Sequence, residues 1–127
     1  MEDVFVGRLM SSPPLTVESE ATLREAGAAA RERGVGSLLV VEDGELTGIL
    51  TRTDFVRAAA AGRDPEATSV SAYATEVVET TTANTPIVDA ADQMTGRGIH
   101  HLPVVDPDEG VVGIITSTDL TAYLSGL

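Results

Sequence analysis

The sequence predicts an α/β protein in which one β-α-β-β-α unit occurs twice. Three observations support this fold class: the chain repeats its own pattern after 64 or 65 residues, short apolar runs alternate with stretches of helical periodicity, and each repeat contains the string Gly-x-x-Thr-x-x-Asp. Units of about 60 residues are too small for a robust core of their own. We therefore expect two tandem repeats packed as one pseudo-two-fold module, with repeat 1 at 8–62, a linker at 63–71 and repeat 2 at 72–127.

The internal repeat keeps a constant register over most of its length. At a shift of 64 residues, Gly34 falls on Gly98. The turn at 106–110 contains one inserted residue, so the shift beyond it is 65. Residues 48–54, Gly-Ile-Leu-Thr-Arg-Thr-Asp, then fall on 113–119, Gly-Ile-Ile-Thr-Ser-Thr-Asp. The agreement at Gly, Thr, Thr and Asp argues against a chance match.

The first repeat begins with a short extended segment at 15–17. Thr22 and Glu25 have the spacing of a capping box and predict a helix, which ends near Gly34 because glycine readily adopts the left-handed conformation of a helix C-terminus. The remaining elements of the repeat are a buried strand at 37–41, a turn at Asp43 and Gly44, a second strand at 46–50 and a helix from 53 to 61.

The second repeat has the same order of elements in different residues. Thr85 is predicted to cap a helix with Pro86 in its first turn, because proline lacks the N–H that would be unsatisfied there. Helical spacing then gives an apolar face of Ile87, Ala90, Ala91 and Met94. The predicted elements that follow are strands at 101–105 and 111–115 and a closing helix at 118–124.

The composition excludes several classes of chemistry. The 127 residues include no Cys, and all eight basic residues are Arg, so thiolate nucleophiles, thiolate metal sites and Schiff-base lysines are ruled out. A formal charge of −12 opposes binding to nucleic acid or to an anionic bilayer. No apolar run approaches the roughly 20 residues of a membrane span. We expect a cytoplasmic protein that is not an enzyme.

The acidic excess has two interpretations. Surface acids commonly serve solubility alone. The combination of 20 acidic residues with no Lys and many Ala and Thr also resembles proteins of salt-accumulating, halophilic archaea. In roughly molar salt the Debye length is about 3 Å, so the self-repulsion of such a chain is screened.

Each Gly-x-x-Thr-x-x-Asp string lies at a predicted strand-to-helix junction, where two functions compete. Glycine lets a ligand approach the backbone, a helix N-terminus directs N–H groups toward a phosphate, and the Asp carboxylate can accept two hydrogen bonds from a ribose diol. The alternative is ordinary helix capping by Thr and Asp. Two copies in register favour a ligand site.

The two strings, together with Gly-Ile-His-His-Leu-Pro-Val-Val-Asp at 98–106, closely resemble the cystathionine-β-synthase (CBS) domain, and the resemblance extends over about residues 10–123. The chain is identified as a pair of CBS domains, a Bateman module. This resemblance implies a regulatory module that senses energy or metabolites by binding AMP, ADP or ATP, or S-adenosylmethionine, and that acts on a partner protein in trans. An interaction module whose clefts bind nothing is the alternative.

The resemblance also implies which residues bind the ligand. One site would combine Ile49, Thr51, Thr53 and Asp54 with Val78, Glu79 and Thr80, and with His100 and His101 near the phosphates. The other would combine Ile114, Thr116, Thr118 and Asp119 with Pro14, Leu15 and Thr16, facing Gly36 and Ser37. We expect the first site to be tighter, because the histidines and Arg52 flank it. Neighbouring strand residues point to opposite faces, so no metal site is expected at the His pair.

The closing helices predict a homodimer, since they carry more apolar surface than a small solvated helix needs. In CBS-pair proteins the equivalent helices bring two modules together. The residues concerned are Phe55, Val56, Ala58, Ala59 and Ala60 in the first repeat and Leu120, Tyr123 and Leu124 in the second. The alternative is that these side chains pack inside the monomer.

Overall fold

The structure, a computed structural model, describes residues 3–77 and 79–126, so the predicted site residue Val78 lies outside the described residues. It contains two compact units. The first unit is Leu15–Val77, and the second unit combines residues 3–14 with residues 79–126. The elements in chain order are α1 (Val6–Leu9), β1 (Thr16–Glu18), α2 (Leu23–Arg33), β2 (Ser37–Glu42), β3 (Glu45–Thr51), α3 (Arg52–Ala60), a 3₁₀ turn (Val70–Ala72), β4 (Thr75–Glu76), α4 (Ile87–Arg97), β5 (His101–Asp106), β6 (Gly110–Thr116) and α5 (Ser117–Leu124).

The first unit contains a four-stranded sheet in the order β1-β2-β3-β4. Strand β1 runs parallel to β2, with Thr16 opposite Leu39, because the connection between them passes through α2. Strands β2 and β3 form a hairpin whose turn residues Asp43 and Gly44 both have positive φ. Strand β4 adds to the far edge of β3 in the antiparallel sense.

Helix α2 begins and ends where the sequence predicts. The Glu25 N–H donates to Thr22 Oγ1 and the Thr22 N–H donates to Glu25 Oε1, each at 3.1 Å, which forms the expected capping box. Gly34 ends the helix at φ 66°. The buried core beneath α2 consists of Leu23, Ala26, Leu38, Val40, Leu50, Ala58 and Val70.

The second unit packs α1, α4 and α5 with the two-stranded sheet β5-β6. The strand expected before α4 is reduced to a single parallel bridge between Thr81 and Val104. Helix α1 completes the unit, because the Gly7 N–H donates to the Ala83 carbonyl at 2.9 Å. The buried core of this unit consists of Val6, Ala90, Met94, Leu102, Val104 and Ile115.

The α/β class is confirmed, with corrections at three helix starts. Pro86, not Thr85, is the N-cap residue of α4, and no side chain caps that helix. The Thr85 hydroxyl instead forms a hydrogen bond of 2.9 Å with the Thr82 hydroxyl. Helices α3 and α5 begin at Arg52 and Ser117, one residue before their predicted starts, because the preceding threonines are the N-caps. Within the described ranges, no helix has the length and apolar character needed to cross a bilayer.

Candidate functional site

The first motif lies where β3 ends and α3 begins. Thr51 is the N-cap residue, its backbone N–H donates to Asp54 Oδ2 at 2.9 Å, and its hydroxyl donates to the same oxygen at 3.3 Å. Asp54 is only 3% exposed. This carboxylate therefore caps its own helix from a buried position.

The second carboxylate oxygen of Asp54 is engaged as well. Arg57, one turn along α3, donates to Oδ1 at 3.2 Å and forms an ion pair with it. The Thr75 hydroxyl on β4 donates to Oδ1 at 3.5 Å. The Arg57 guanidinium also lies over the Tyr73 ring, 5.5 Å from the centroid. A ribose diol would have to displace one of these partners to reach Asp54.

The second motif has the same cap but a less occupied carboxylate. The Thr116 N–H donates to Asp119 Oδ2 at 2.8 Å, the Thr116 hydroxyl donates to it at 3.1 Å, and the Asp119 N–H returns a bond to the Thr116 hydroxyl at 3.3 Å. Asp119 is half-buried. Among the described residues, none donates a hydrogen bond to Asp119 Oδ1. This oxygen is the free acceptor of the two motifs.

The other residues of the two motifs differ in accessibility. Ile49 is half-buried within β3, whereas Thr53 is exposed at the start of α3. Ile114 is 8% exposed in β6, and its backbone exchanges hydrogen bonds of 2.9 and 3.1 Å with Ser11. Thr118 is exposed on α5. The exposed threonines are thus open to a ligand, and the isoleucines contribute mainly to the sheets.

Glu79 and Thr80 are fixed to helix α4 in the second unit. The Gln93 side-chain amide donates to Glu79 Oε1 at 3.3 Å and to the Thr80 carbonyl at 3.0 Å. Arg97 forms an ion pair with Glu79 at 3.6 Å. The expectation that this segment works together with the Asp54 motif concerns residues of different units, and it stays a prediction from the resemblance.

The segment at 14–16 leads into β1. Pro14 is half-buried at the end of the second unit's N-terminal stretch. The Leu15 carbonyl accepts the Leu39 N–H at 2.9 Å, and Thr16 is exposed on the edge strand of the first sheet. An exposed edge residue of this kind is available to a ligand.

The two histidines lie at the start of β5, beside the second motif. His101 is half-buried and pairs in register with Thr116, while His100 is exposed and its carbonyl accepts the Ser117 N–H at 3.0 Å. Within the second unit, the structure therefore brings the histidines to the N-terminus of α5. The described residues contain no group of three or more potential metal ligands.

Arg52 takes a direction that the sequence does not indicate. Its guanidinium lies against Gly36, where an added Cβ would be 2.6 Å from Nη1. The Arg52 N–H also donates to the Gly36 carbonyl at 3.2 Å. In the sequence, the one local signal for this contact is that residue 36 is a glycine, which has no side chain. Arg57 and Thr75, the partners of Asp54, are likewise absent from the residues that the motif predicts.

The comparison with known families confirms the class that the repeat and the two motifs define. Residues 6–61 and 70–126 each match the CBS domain, so the chain belongs to the CBS domain family. It is 35% identical to the CBS domain-containing protein YhcV of Bacillus subtilis over 112 residues, which cover 87% of this chain and 79% of that protein.

Two further proteins are similar to the chain, of which one is much longer and the other was solved with bound ligands. L-aspartate semialdehyde sulfurtransferase of Methanocaldococcus jannaschii is 30% identical over 123 residues, which cover 96% of this chain but 23% of that protein. The CBS domain pair of protein MJ0100, solved in complex with 5′-methylthioadenosine and S-adenosyl-L-methionine, has a TM-score of 0.89 at 29% identity and covers 98% of both chains.

Proposed function

We propose that this protein is a regulatory module that binds an adenosine-containing molecule and acts on a partner protein in trans. The observation that carries the proposal is the Asp119 motif, where a helix N-terminus, a threonine cap and a free carboxylate oxygen meet. A related CBS pair crystallised with two adenosine derivatives supports this ligand class. Binding would shift the population of one conformation, which the partner recognises.

The ribose is proposed to bind at Asp119 in preference to Asp54. A ribose diol offers two O–H donors, and a carboxylate binds both only if it has acceptor capacity left. Asp54 already accepts from Arg57 and Thr75 at Oδ1, whereas Asp119 Oδ1 accepts from no described residue. The hydrogen bonding therefore favours the reverse of the order expected from the histidines.

The two ligand classes implied by the resemblance, adenine nucleotides and S-adenosylmethionine, differ in the charge of their 5′ substituent. AMP, ADP and ATP carry phosphates, which the −12 charge of the chain opposes. S-adenosylmethionine carries a sulfonium cation, which the same charge attracts. The remaining residues that the resemblance implies stay our proposed ligand contacts.

Isothermal titration calorimetry with AMP, ATP, S-adenosylmethionine and 5′-methylthioadenosine tests the proposal. We expect at least one to bind, and Asp119→Ala to weaken it by roughly tenfold or more, since a hydrogen bond to a charged group contributes about 1.5–3 kcal/mol. Asp54→Asn removes the charge of the other carboxylate and is the control, which should retain affinity. Heat from none of the four ligands would favour the interaction module with empty clefts.

Protein stability distinguishes the roles of the two carboxylates in a matched pair of alanine variants. Loss of Asp54 removes a cap together with its bonds from Arg57 and Thr75, whose exposed donors turn to water, so we expect Asp54→Ala to lower the free energy of unfolding by about 1–3 kcal/mol. Asp119→Ala loses a half-buried cap alone and should cost about 1 kcal/mol. Urea unfolding of both variants measures the difference.

We also propose that the module is a homodimer through its closing helices. Val56 on α3 is 65% exposed and Leu124 on α5 is 79% exposed, which favours a contact with a second copy. Ala58 is buried within the first unit and Leu120 packs against the core of the second, so these two predicted contacts serve the monomer instead. The proposed interface rests on the exposed pair.

A further inference from the structure

The glycine of the second motif lies buried under the chain segment at 10–12, and a side chain at this position would collide with that segment. A Cβ added to Gly113 would be 2.7 Å from Met10 Sδ and 2.8 Å from the Ser11 carbonyl oxygen. Non-bonded heavy atoms pack best at about 3.5–4.0 Å. The Ser11 oxygen is the harder obstacle, because a backbone atom cannot swing aside as a methionine side chain can.

Hydrogen bonds attach the same segment to β6 on either side of Gly113. The Ser11 N–H donates to the Ile114 carbonyl at 2.9 Å, and the Ile114 N–H donates to the Ser11 carbonyl at 3.1 Å. The Ser12 hydroxyl donates to the Val112 carbonyl at 2.8 Å. Gly113 therefore lies between two residues of β6 to which the segment is bonded.

The first motif repeats this arrangement in the other unit. Gly48 is buried in β3, and a Cβ added to it would be 2.9 Å from the Thr75 carbonyl oxygen. Thr75 belongs to β4, the strand that pairs with β3 beside Gly48. It follows Ser11 by 64 residues, which is the shift of the internal repeat. The same contact between a carbonyl and the motif glycine thus occurs in both copies, in register.

We propose that the motif glycine is a positioning residue, which lets the chain segment before the proposed ligand contacts lie against the strand. The sequence suggests that this glycine lets a ligand approach the backbone. In the structure, the space beside Gly113 is filled by the protein's own chain.

The segment held at Gly113 leads directly to a proposed ligand contact. Pro14, which the resemblance implies for the Asp119 site, comes two residues after Ser12. A side chain at residue 113 would displace the segment that supports Pro14. The effect on ligand binding rests on the proposed function, whereas the attachment of residues 10–12 to β6 does not.

Amide hydrogen exchange of the ligand-free, ¹⁵N-labelled protein tests the attachment. In Gly113→Ala, we expect the Ser11 and Ile114 amides to exchange at least roughly tenfold faster, because the added methyl group pushes the segment off β6. The Val105 amide, which donates to the Thr81 carbonyl on the β5 side of the same sheet, should keep its protection. Unchanged exchange at Ser11 and Ile114 would overturn the proposal.

Two further variants separate this effect from a loss of the fold. Gly96→Ala, on α4 where an added Cβ meets open space, is the matched control and should leave both amides unchanged. Gly48→Ala should speed amide exchange in β4, at Thr75 and Glu76. This contact lies wholly within the first unit, so it decides the proposal if Gly113→Ala also exposes Val105. Wild-type exchange of β4 in Gly48→Ala would then overturn it.

Ligand affinity tests the consequence for the proposed site. In calorimetric titrations with AMP, ATP, S-adenosylmethionine and 5′-methylthioadenosine, Gly113→Ala should weaken the strongest binder by roughly tenfold, and Gly96→Ala should not. Faster exchange with unchanged affinity would overturn the positioning role. If the wild-type protein binds none of the four, the proposed function and the ligand role of Gly113 both fail, and exchange still decides whether the glycine holds residues 10–12 on β6.

Discussion

Thr81 occupies, in the second unit, the place that Val17 occupies 64 residues earlier in the first. It is 5% exposed, and its hydroxyl has no hydrogen-bond partner among the described residues. A buried hydroxyl without a partner costs about 1–3 kcal/mol. We expect Thr81→Val to raise the free energy of unfolding by about 1 kcal/mol, as measured by urea denaturation at fixed salt.

The neighbouring threonine provides the control for this substitution. Thr82 is exposed and its hydroxyl bonds to that of Thr85, so Thr82→Val should leave the stability unchanged or lower it. A loss of stability in Thr81→Val would show that the Thr81 hydroxyl is hydrogen-bonded in solution.

At the scale of single residues, the sequence predicts the pairing of Thr with Asp in each motif but not the difference between the two copies. Both strings place Asp three residues after Thr, which is enough for a cap in either copy. Thr75, which engages Asp54, lies 21 residues away on β4. Local spacing carries no information about such a contact, because strand pairing determines it.

Two glycines of the α2 region test the local rules on single elements. Gly27 lies in the middle of α2 with ordinary van der Waals room for a Cβ, so Gly27→Ala should raise the free energy of unfolding by about 0.5–1 kcal/mol.

Gly34 ends the helix at φ +66°, so Gly34→Ala should lower the free energy of unfolding by roughly 1 kcal/mol. Urea unfolding gives both values, and a stabilised Gly34→Ala would contradict the cap.

The longer elements follow from local signals, and the short ones do not. Helix α2 and strands β2 and β3 lie within one or two residues of their predicted bounds, because caps, turn residues and apolar periodicity specify them. Helix α1 and strand β4 are four and two residues long. They form because distant backbone groups bond to them, as Ala83 does to Gly7.

The charge of the whole molecule leads to a prediction about salt. The 127 residues carry a net charge of −12, and low ionic strength increases the Debye length, so the charges of the folded state repel one another more strongly. We expect the Tm to rise as KCl increases from about 0.1 to 2 M, a range over which the Debye length falls from about 10 Å to below 3 Å. Circular dichroism measures it. A constant Tm would contradict the halophile interpretation and leave the fold unaffected.

The proposed homodimer is tested at the same scale. Light scattering in high salt should give twice the chain mass of 13.2 kDa. Val56→Asp should shift the protein toward the monomer, because it places a charge on the exposed apolar face of α3. Ala67→Asp, in the exposed loop after α3, adds the same charge elsewhere and should remain dimeric. A monomeric wild-type protein at micromolar concentration would refute the interface.

The two units differ in when they can be completed during synthesis. The first unit is one continuous stretch, Leu15–Val77, so all of its partners have been made once β4 leaves the ribosome. The second unit can be completed only later, because the Ser12 hydroxyl donates to the carbonyl of Val112, which is made 100 residues after it. Residues 3–14 are therefore made before the first unit but complete their contacts only after it, once a long loop has closed. On the ribosome, a nascent chain of this protein therefore passes through a stage in which every residue of the first unit, with the Asp54 motif, has been made while Asp119 and its cap do not yet exist.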